Sequence, residues 1–168
     1  KDIIANKEDY SKIIIYVNTV KHAEALYDMF NEFPIINEHY DLVGYFNAGK
    51  RGNPLNIDPN EYLDKFKSAK KAIIINTNMI SEGFDDPNVN TVALAVPTSS
   101  LVKYIQCVGR AIRNPDQSTV SQETFVVEYS DNMPNISYRI TSGWLFADIS
   151  DDLEPKINDV YVRDKNDL

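Results

Sequence analysis

Two arginines stand three residues apart in the segment YIQCVGRAIRNP, Tyr104 to Pro115. On a helix that spacing projects Arg110 and Arg113 from nearly the same face. Two guanidiniums on one face suit a polyanion, because each offers a planar fork of donors matched to phosphate oxygens. Gln106, one turn before Arg110, shares the face and can bond a phosphate or an attacking water. The chemistry such a face would serve is phosphoryl transfer, in which an arginine supplied from outside the phosphate cradle stabilises spreading charge. The ordinary alternative is a pair of surface arginines in salt bridges, with Glu82 or Asp85 as partners.

A second chemical segment precedes it, INTNMISEGFDDPNVNTVALA, Ile75 to Ala95. Gly83 permits a turn that a side chain would block, and Asp85 can accept a hydrogen bond from a ribose hydroxyl. Gly, Asp and Pro87 are equally what plain turns are made of. Thr77 ends an apolar run, where its hydroxyl can meet a backbone phosphate or cap a helix over Met79 to Glu82. Asn18 and Thr19 end the run KIIIYV, Lys12 to Val17, and have the same two options. The Gly-rich stretch around AGKRGN lacks the spacing and the Ser/Thr of a phosphate loop.

These segments need strands and helices to hold them. KIIIYV, DLVGYF (Asp41 to Phe46), AIIIN (Ala72 to Asn76), TVALAV (Thr91 to Val96) and TFVVEY (Thr124 to Tyr129) read as five short strands. AIIIN is continuously apolar up to Asn76, as a strand covered on both faces must be. Ala23, Leu26, Tyr27 and Phe30 recur at helical spacing, predicting a helix from Val20 to Phe33 that Pro34 stops. Asp58, Pro59 and Glu61 open another that runs to Ala69, with Tyr62, Leu63 and Phe66 inward. Ser99 or Ser100 caps a third, Leu101 to Ile112, closed by Asn114-Pro115. Helix-length crossovers between strands imply an α/β three-layer sandwich with a mainly parallel sheet. Sites in such sheets lie at the carboxyl ends of the strands, and each chemical segment above follows a strand.

The three segments, in this order, resemble motifs IV (Lys12 to Phe30), V (Ile75 to Ala95) and VI (Tyr104 to Pro115) of superfamily 2 helicases, over roughly residues 10 to 130. The resemblance implies a RecA-like second domain of a P-loop NTPase. It implies Arg113 as arginine finger, Arg110 as a second γ-phosphate contact, Asp85 on the ribose, and Asn18, Thr19 and Thr77 on the nucleic-acid backbone. It implies ATP with Mg²⁺, the metal held by an N-terminal RecA-like domain, because neither a phosphate loop nor an Asp-Glu pair is present here; both are expected upstream of Lys1. Gln106 stands where DEAD-box proteins usually carry His. EGFDDP and VPTSSLVKYIQCVGRAIR look more like the motor subunits of restriction enzymes, favouring DNA over RNA as partner. Two other classes remain open: a non-catalytic helicase-like binding or regulatory module, and an unrelated α/β enzyme. The latter should show a glycine fingerprint after the first strand, where Asn18-Thr19-Val20 is not one.

Composition bounds the rest. The 168 residues, 43% hydrophobic and 25% charged, suit one globular domain with no membrane span. A single cysteine, Cys107, excludes an internal disulfide and suits a reducing, cytoplasmic setting. His22 and His39 lack cysteine partners at ligand spacing, so no metal site is expected. The net charge of −8 divides unevenly: 13 basic against 14 acidic residues in 1–115, and 4 against 11 in 116–168. Residues 1–130 therefore read as the domain, and 131–168 as an acidic extension whose Ile136, Tyr138, Trp144 and Phe146 should pack on the domain or on a neighbour. A near-neutral body can hold a phosphate backbone through amides, Asn and Thr, but not tightly.

Overall fold

The computed structural model describes residues 1–47, 53–77, 84, 86–96, 100–110 and 123–128. The anticipated extension, together with Gly83, Asp85 and Arg113, lies outside the described residues. Five strands, β1 (Lys12–Tyr16), β2 (Leu42–Phe46), β3 (Ala72–Asn76), β4 (Thr91–Leu94) and β5 (Phe125–Glu128), form one parallel sheet in the order β2-β3-β1-β4-β5. Helices cover both faces, giving the three layers expected. α4 (Pro59–Ser68) and α5 (Leu101–Val108) lie on one face; α1 (Asp2–Ala5), α2 (Val20–Asn31) and α3 (Pro34–His39) lie on the other.

The continuous apolar runs of β1 and β3 split between these faces by period two. Ile14 and Ile74 enter one core with Tyr62, Phe66 and Tyr104; Ile13, Ile15, Ile73 and Ile75 enter the other with Ala23, Phe30 and Ile36. All five residues of each strand are buried, which is why polar alternation is missing from their sequence. Asn90 ties the entry of β4 to β1: its side-chain oxygen accepts from the amides of Ser11 and Lys12, both at 3.1 Å, and its amide donates to the Asp9 carbonyl.

Caps behave as their chemistry requires. Thr19 accepts from the His22 amide at 3.2 Å, Asp58 from Asn60 and Glu61, and Ser100, not Ser99, from Lys103. Two helix ends are corrected. The helix from Leu101 stops at Val108, with Gly109 and Arg110 in a turn, where it was expected to run on to Ile112. The helix from Val20 ends at Asn31 rather than Phe33, and Pro34 opens a new helix instead of stopping the old one. Proline lacks only the amide that a first-turn residue leaves unbonded anyway, so the same residue ends one helix and starts the next. α1 was not anticipated; at four residues it has too little periodicity to read.

Candidate nucleotide and nucleic-acid site

β1 and β3 are neighbours, and Tyr16 and Asn76 pair at their carboxyl ends. The residues that follow therefore emerge side by side: Asn18 and Thr19 from β1, Thr77 from β3. Asn18 and Thr19 are exposed, and Thr19 is already engaged as a cap through its hydroxyl. Thr77 is buried, and among the described residues its hydroxyl has no hydrogen-bond partner. The Asn76 amide beside it is equally buried and unpartnered at both oxygen and nitrogen. Buried polar groups are nearly always satisfied, so this pair of side chains marks the carboxyl edge of β3 as chemically unusual.

α5 carries Gln106, which is exposed, and ends at Val108; Arg110, half-buried, follows in the turn after the Gly109 cap. Arg110 donates through Nη1 to the carbonyl of Phe84. The alternative of salt bridges from Arg110 to Glu82 or Asp85 concerns residues outside those described. Gly109 has a local reason to be glycine, because a Cβ there would stand 2.7 Å from the Ile105 carbonyl oxygen. Behind Arg110, burial pushes the Tyr16 hydroxyl well above the usual phenol range; the Cys107 thiol beside it adds to the shift and the Arg110 guanidinium opposes it. Burial likewise raises the Cys107 thiol, so this cysteine packs rather than reacts. Tyr104 on the same helix donates to Glu128 of β5 at 2.8 Å.

The segment entering β4 is anchored within this face. Phe84 packs on Phe66 with ring centroids 6.0 Å apart. Asp86 accepts from the Asn88 amide and side chain through Oδ1, and pairs through Oδ2 with the Lys12 ammonium at 2.7 Å. Lys12, Phe84, Asp86, Tyr16 and Asn76 were not singled out from the sequence. The doubled acid in GFDDP was the one available signal, since a charge that enters a buried strand needs a partner; a lysine opening an apolar strand ordinarily reads as a solvated end.

Among the described residues, no group of three or more His, Cys, Asp or Glu could hold a metal ion, and no helix is long and apolar enough to cross a membrane.

Residues 1–115 match the family described as the helicase conserved C-terminal domain. The chain belongs to that family. The match covers β1 through α5 and every segment on which the resemblance rested. The helicase C-terminal domain is 30% identical over 108 residues to a 51.5 kDa protein of Lactococcus phage (isolate 7-9), covering 64% of this chain and 22% of that one. It is 33% identical over 57 residues to IRC3 of Saccharomyces cerevisiae, named as a candidate ATP-dependent helicase, covering 34% and 8%. The chain thus spans under a quarter of these relatives' length. Its fold matches that of Mss116p DEAD-box helicase domain 2 bound to an RNA duplex, with TM-score 0.54 at 21% identity, covering 76% of this chain and 46% of that one. Mss116p bound to single-stranded RNA and AMP-PNP gives 0.56 at 25% identity, covering 76% and 22%. The expected RecA-like second-domain fold is therefore present.

Proposed function

We propose that this helicase C-terminal domain is one half of an ATP-driven nucleic-acid motor, supplying the arginine side of a nucleotide cleft closed by an N-terminal RecA-like domain. The observation that carries this is the α5 end of the domain: an exposed amide at Gln106 on the helix and a half-buried guanidinium at Arg110 in the turn just beyond it, bonded to the Phe84 carbonyl in the segment that enters β4 of a parallel sheet. Such donors suit phosphate oxygens, for which a guanidinium offers a planar, charge-assisted fork. Arg113, three residues on, is the arginine finger, Arg110 the second γ-phosphate contact, and Asp85, after Gly83, the acceptor for a ribose hydroxyl. Mg²⁺ belongs to the other domain. ATP hydrolysis is the energy source; the residues of this chain orient the nucleotide and stabilise charge on the transferred group.

Asn18, Thr19 and Thr77, on adjacent strand ends, take the nucleic-acid backbone. Placing both grips on one edge lets cleft closure shift them together. Duplex DNA is the proposed track, as the likeness of EGFDDP to restriction motor subunits suggests.

The test uses the intact parent protein. Arg113→Ala should leave ATP binding nearly unchanged and cut DNA-stimulated turnover by about 10³ to 10⁵. Arg113→Lys should rescue little, because a point charge does not reproduce the planar fork. Near-normal turnover in Arg113→Ala would refute the assignment. Turnover stimulated by RNA and not by DNA would overturn the choice of track.

A further inference from the structure

The residues that end the five strands form one row across the sheet. The register sets Phe46 beside Asn76, Asn76 beside Tyr16, Tyr16 beside Leu94, and Leu94 beside Glu128. Residues in one row point to one face, and Phe46, Tyr16 and Leu94 enter the core under α4 and α5. Asn76 therefore faces the α5 side, where it is 1% exposed. Thr77, the next residue, turns by the same alternation to the opposite face, which α2 covers.

Three polar side chains here have no hydrogen-bond partner among the described residues: the Tyr16 hydroxyl, the Asn76 carboxamide at both its atoms, and the Thr77 hydroxyl. Glu128, at the end of the same row, accepts from the Tyr104 hydroxyl at 2.8 Å. The shortage is confined to side chains, because the main chain is bonded to both neighbouring strands. The Asn76 carbonyl accepts from the Val17 amide at 2.9 Å, and the Thr77 amide donates to the Phe46 carbonyl at 3.4 Å. A leucine in place of Asn76 would have nearly the same shape, would suit a row that holds Phe46 and Leu94, and would strand no polar atom. Stability therefore does not account for this asparagine. Its position bears on function instead. It lies in register with Tyr16, whose hydroxyl adjoins the Cys107 thiol and the Arg110 guanidinium, and it directly precedes Thr77. The nucleotide side and the nucleic-acid side thus meet at two adjacent residues of one central strand, on opposite faces of the sheet. An arrangement that paired these polar atoms would be favoured over the present one, and such a difference is what a ligand-driven shift between two states requires.

We propose that Asn76 is a positioning residue that couples the two grips: its carboxamide and the Tyr16 hydroxyl take partners when nucleotide draws Arg110 into place, and the end of β3 then fixes the Thr77 hydroxyl for the nucleic-acid backbone. The role rests on the assignments of Arg110 to phosphate and Thr77 to the backbone made above.

Two variants test this. Asn76→Leu keeps the volume and removes both polar atoms; Tyr16→Phe removes a single oxygen. In urea unfolding of the 168-residue chain, both should show midpoints equal to or above the wild type. In the intact parent, binding to a duplex DNA oligomer is measured with and without AMP-PNP. DNA affinity without nucleotide should stay within about twofold of wild type, while the factor by which AMP-PNP changes it should shrink about fivefold or more, the lower end of ordinary coupling between sites. Stimulation of ATP turnover by the same DNA should fall in step, with unstimulated turnover unchanged. A purely structural role would move the midpoint and leave the AMP-PNP factor alone. A factor unchanged in both variants overturns the proposal. So do midpoints lowered in both, which would mean that these atoms are permanently paired, by ordered water or otherwise. If Asn76→Leu fails to fold, Tyr16→Phe decides alone. If the wild-type parent binds the DNA equally with and without AMP-PNP, the motor reading fails first and takes this role with it.

Discussion

Gly44 and Tyr62 offer a double-mutant cycle whose outcome follows from geometry. Gly44 lies in β2 directly beneath α4. A Cβ added there would stand 1.9 Å from Tyr62 Oη, 3.1 Å from Pro54 Cγ and 3.2 Å from Tyr62 Cζ. The first distance is impossible and the other two are merely tight. Tyr62 has little room to yield: it is 0% exposed, and its ring stacks on Phe46 at 6.4 Å and 8°. Its hydroxyl, moreover, has no hydrogen-bond partner among the described residues. Gly44→Ala should therefore destabilise by overpacking, about 1–3 kcal/mol, less about 0.5–1 kcal/mol recovered from a stiffer unfolded chain. Tyr62→Phe removes a buried polar atom whose burial costs about 1–3 kcal/mol when unpaired, and should stabilise by about 1 kcal/mol after the lost contacts are counted. In the double variant the colliding oxygen is gone, leaving a clearance that a few tenths of an ångström relieve. Its stability should match or exceed the wild type, giving a coupling of about 1–3 kcal/mol. Urea unfolding of the four proteins measures this, each kcal/mol moving the thermal midpoint by about 2–4 °C at this chain length. Additivity within about 0.5 kcal/mol would mean that Tyr62 does not sit over Gly44, and the packing of α4 on β2 would have to be redrawn.

Thr19→Ala should cost about 1 kcal/mol of stability through the lost cap on α2, while Thr19→Ser should keep most of it; equal stability in all three would show the His22 amide satisfied elsewhere. Alkaline pH should destabilise the domain. The hydroxyls of Tyr16, Tyr40 and Tyr62 are held above the ordinary phenol value chiefly by burial, and the Cys107 thiol is raised for the same reason. The unfolded state loses these protons first, so their contribution is complete below the unfolded values and fades as pH climbs through about 9 to 10 and beyond; stability flat or rising between pH 8 and 11 in denaturant titrations contradicts this. The isolated chain should bind DNA only in the non-specific range, about 10⁻⁴ to 10⁻⁶ M, weakening with salt; a nanomolar, salt-insensitive complex by fluorescence anisotropy would reveal a site beyond Asn18, Thr19 and Thr77.

All five strands and the start of α4 were legible in the sequence, because each depends on neighbours within a few residues. Ile13 to Ile15 and Ile73 to Ile75 are apolar without alternation, which already implies cover on both faces. Asp58 with Pro59, and Ser100, carry their capping function in their own side chains. Spacing predicted Gln106 and Arg110 on one helix face, but α5 ends at Val108 and Arg110 falls in the turn after it. Pro34 was misread because proline is compatible with both an ending and a beginning, and only the packing of Ile36 into the core chooses between them. The order β2-β3-β1-β4-β5 brings Lys12 against Asp86, 74 residues away, and Arg110 against Phe84, 26 residues away. Nothing local in a strand-opening lysine announces that its ammonium will be buried, because burial is decided by which helix crosses above it. The same holds for Thr77 and Asn76: their types were visible, but not that they lack partners among the described residues, since hydrogen-bond satisfaction belongs to the assembled edge of the sheet and not to any stretch of chain.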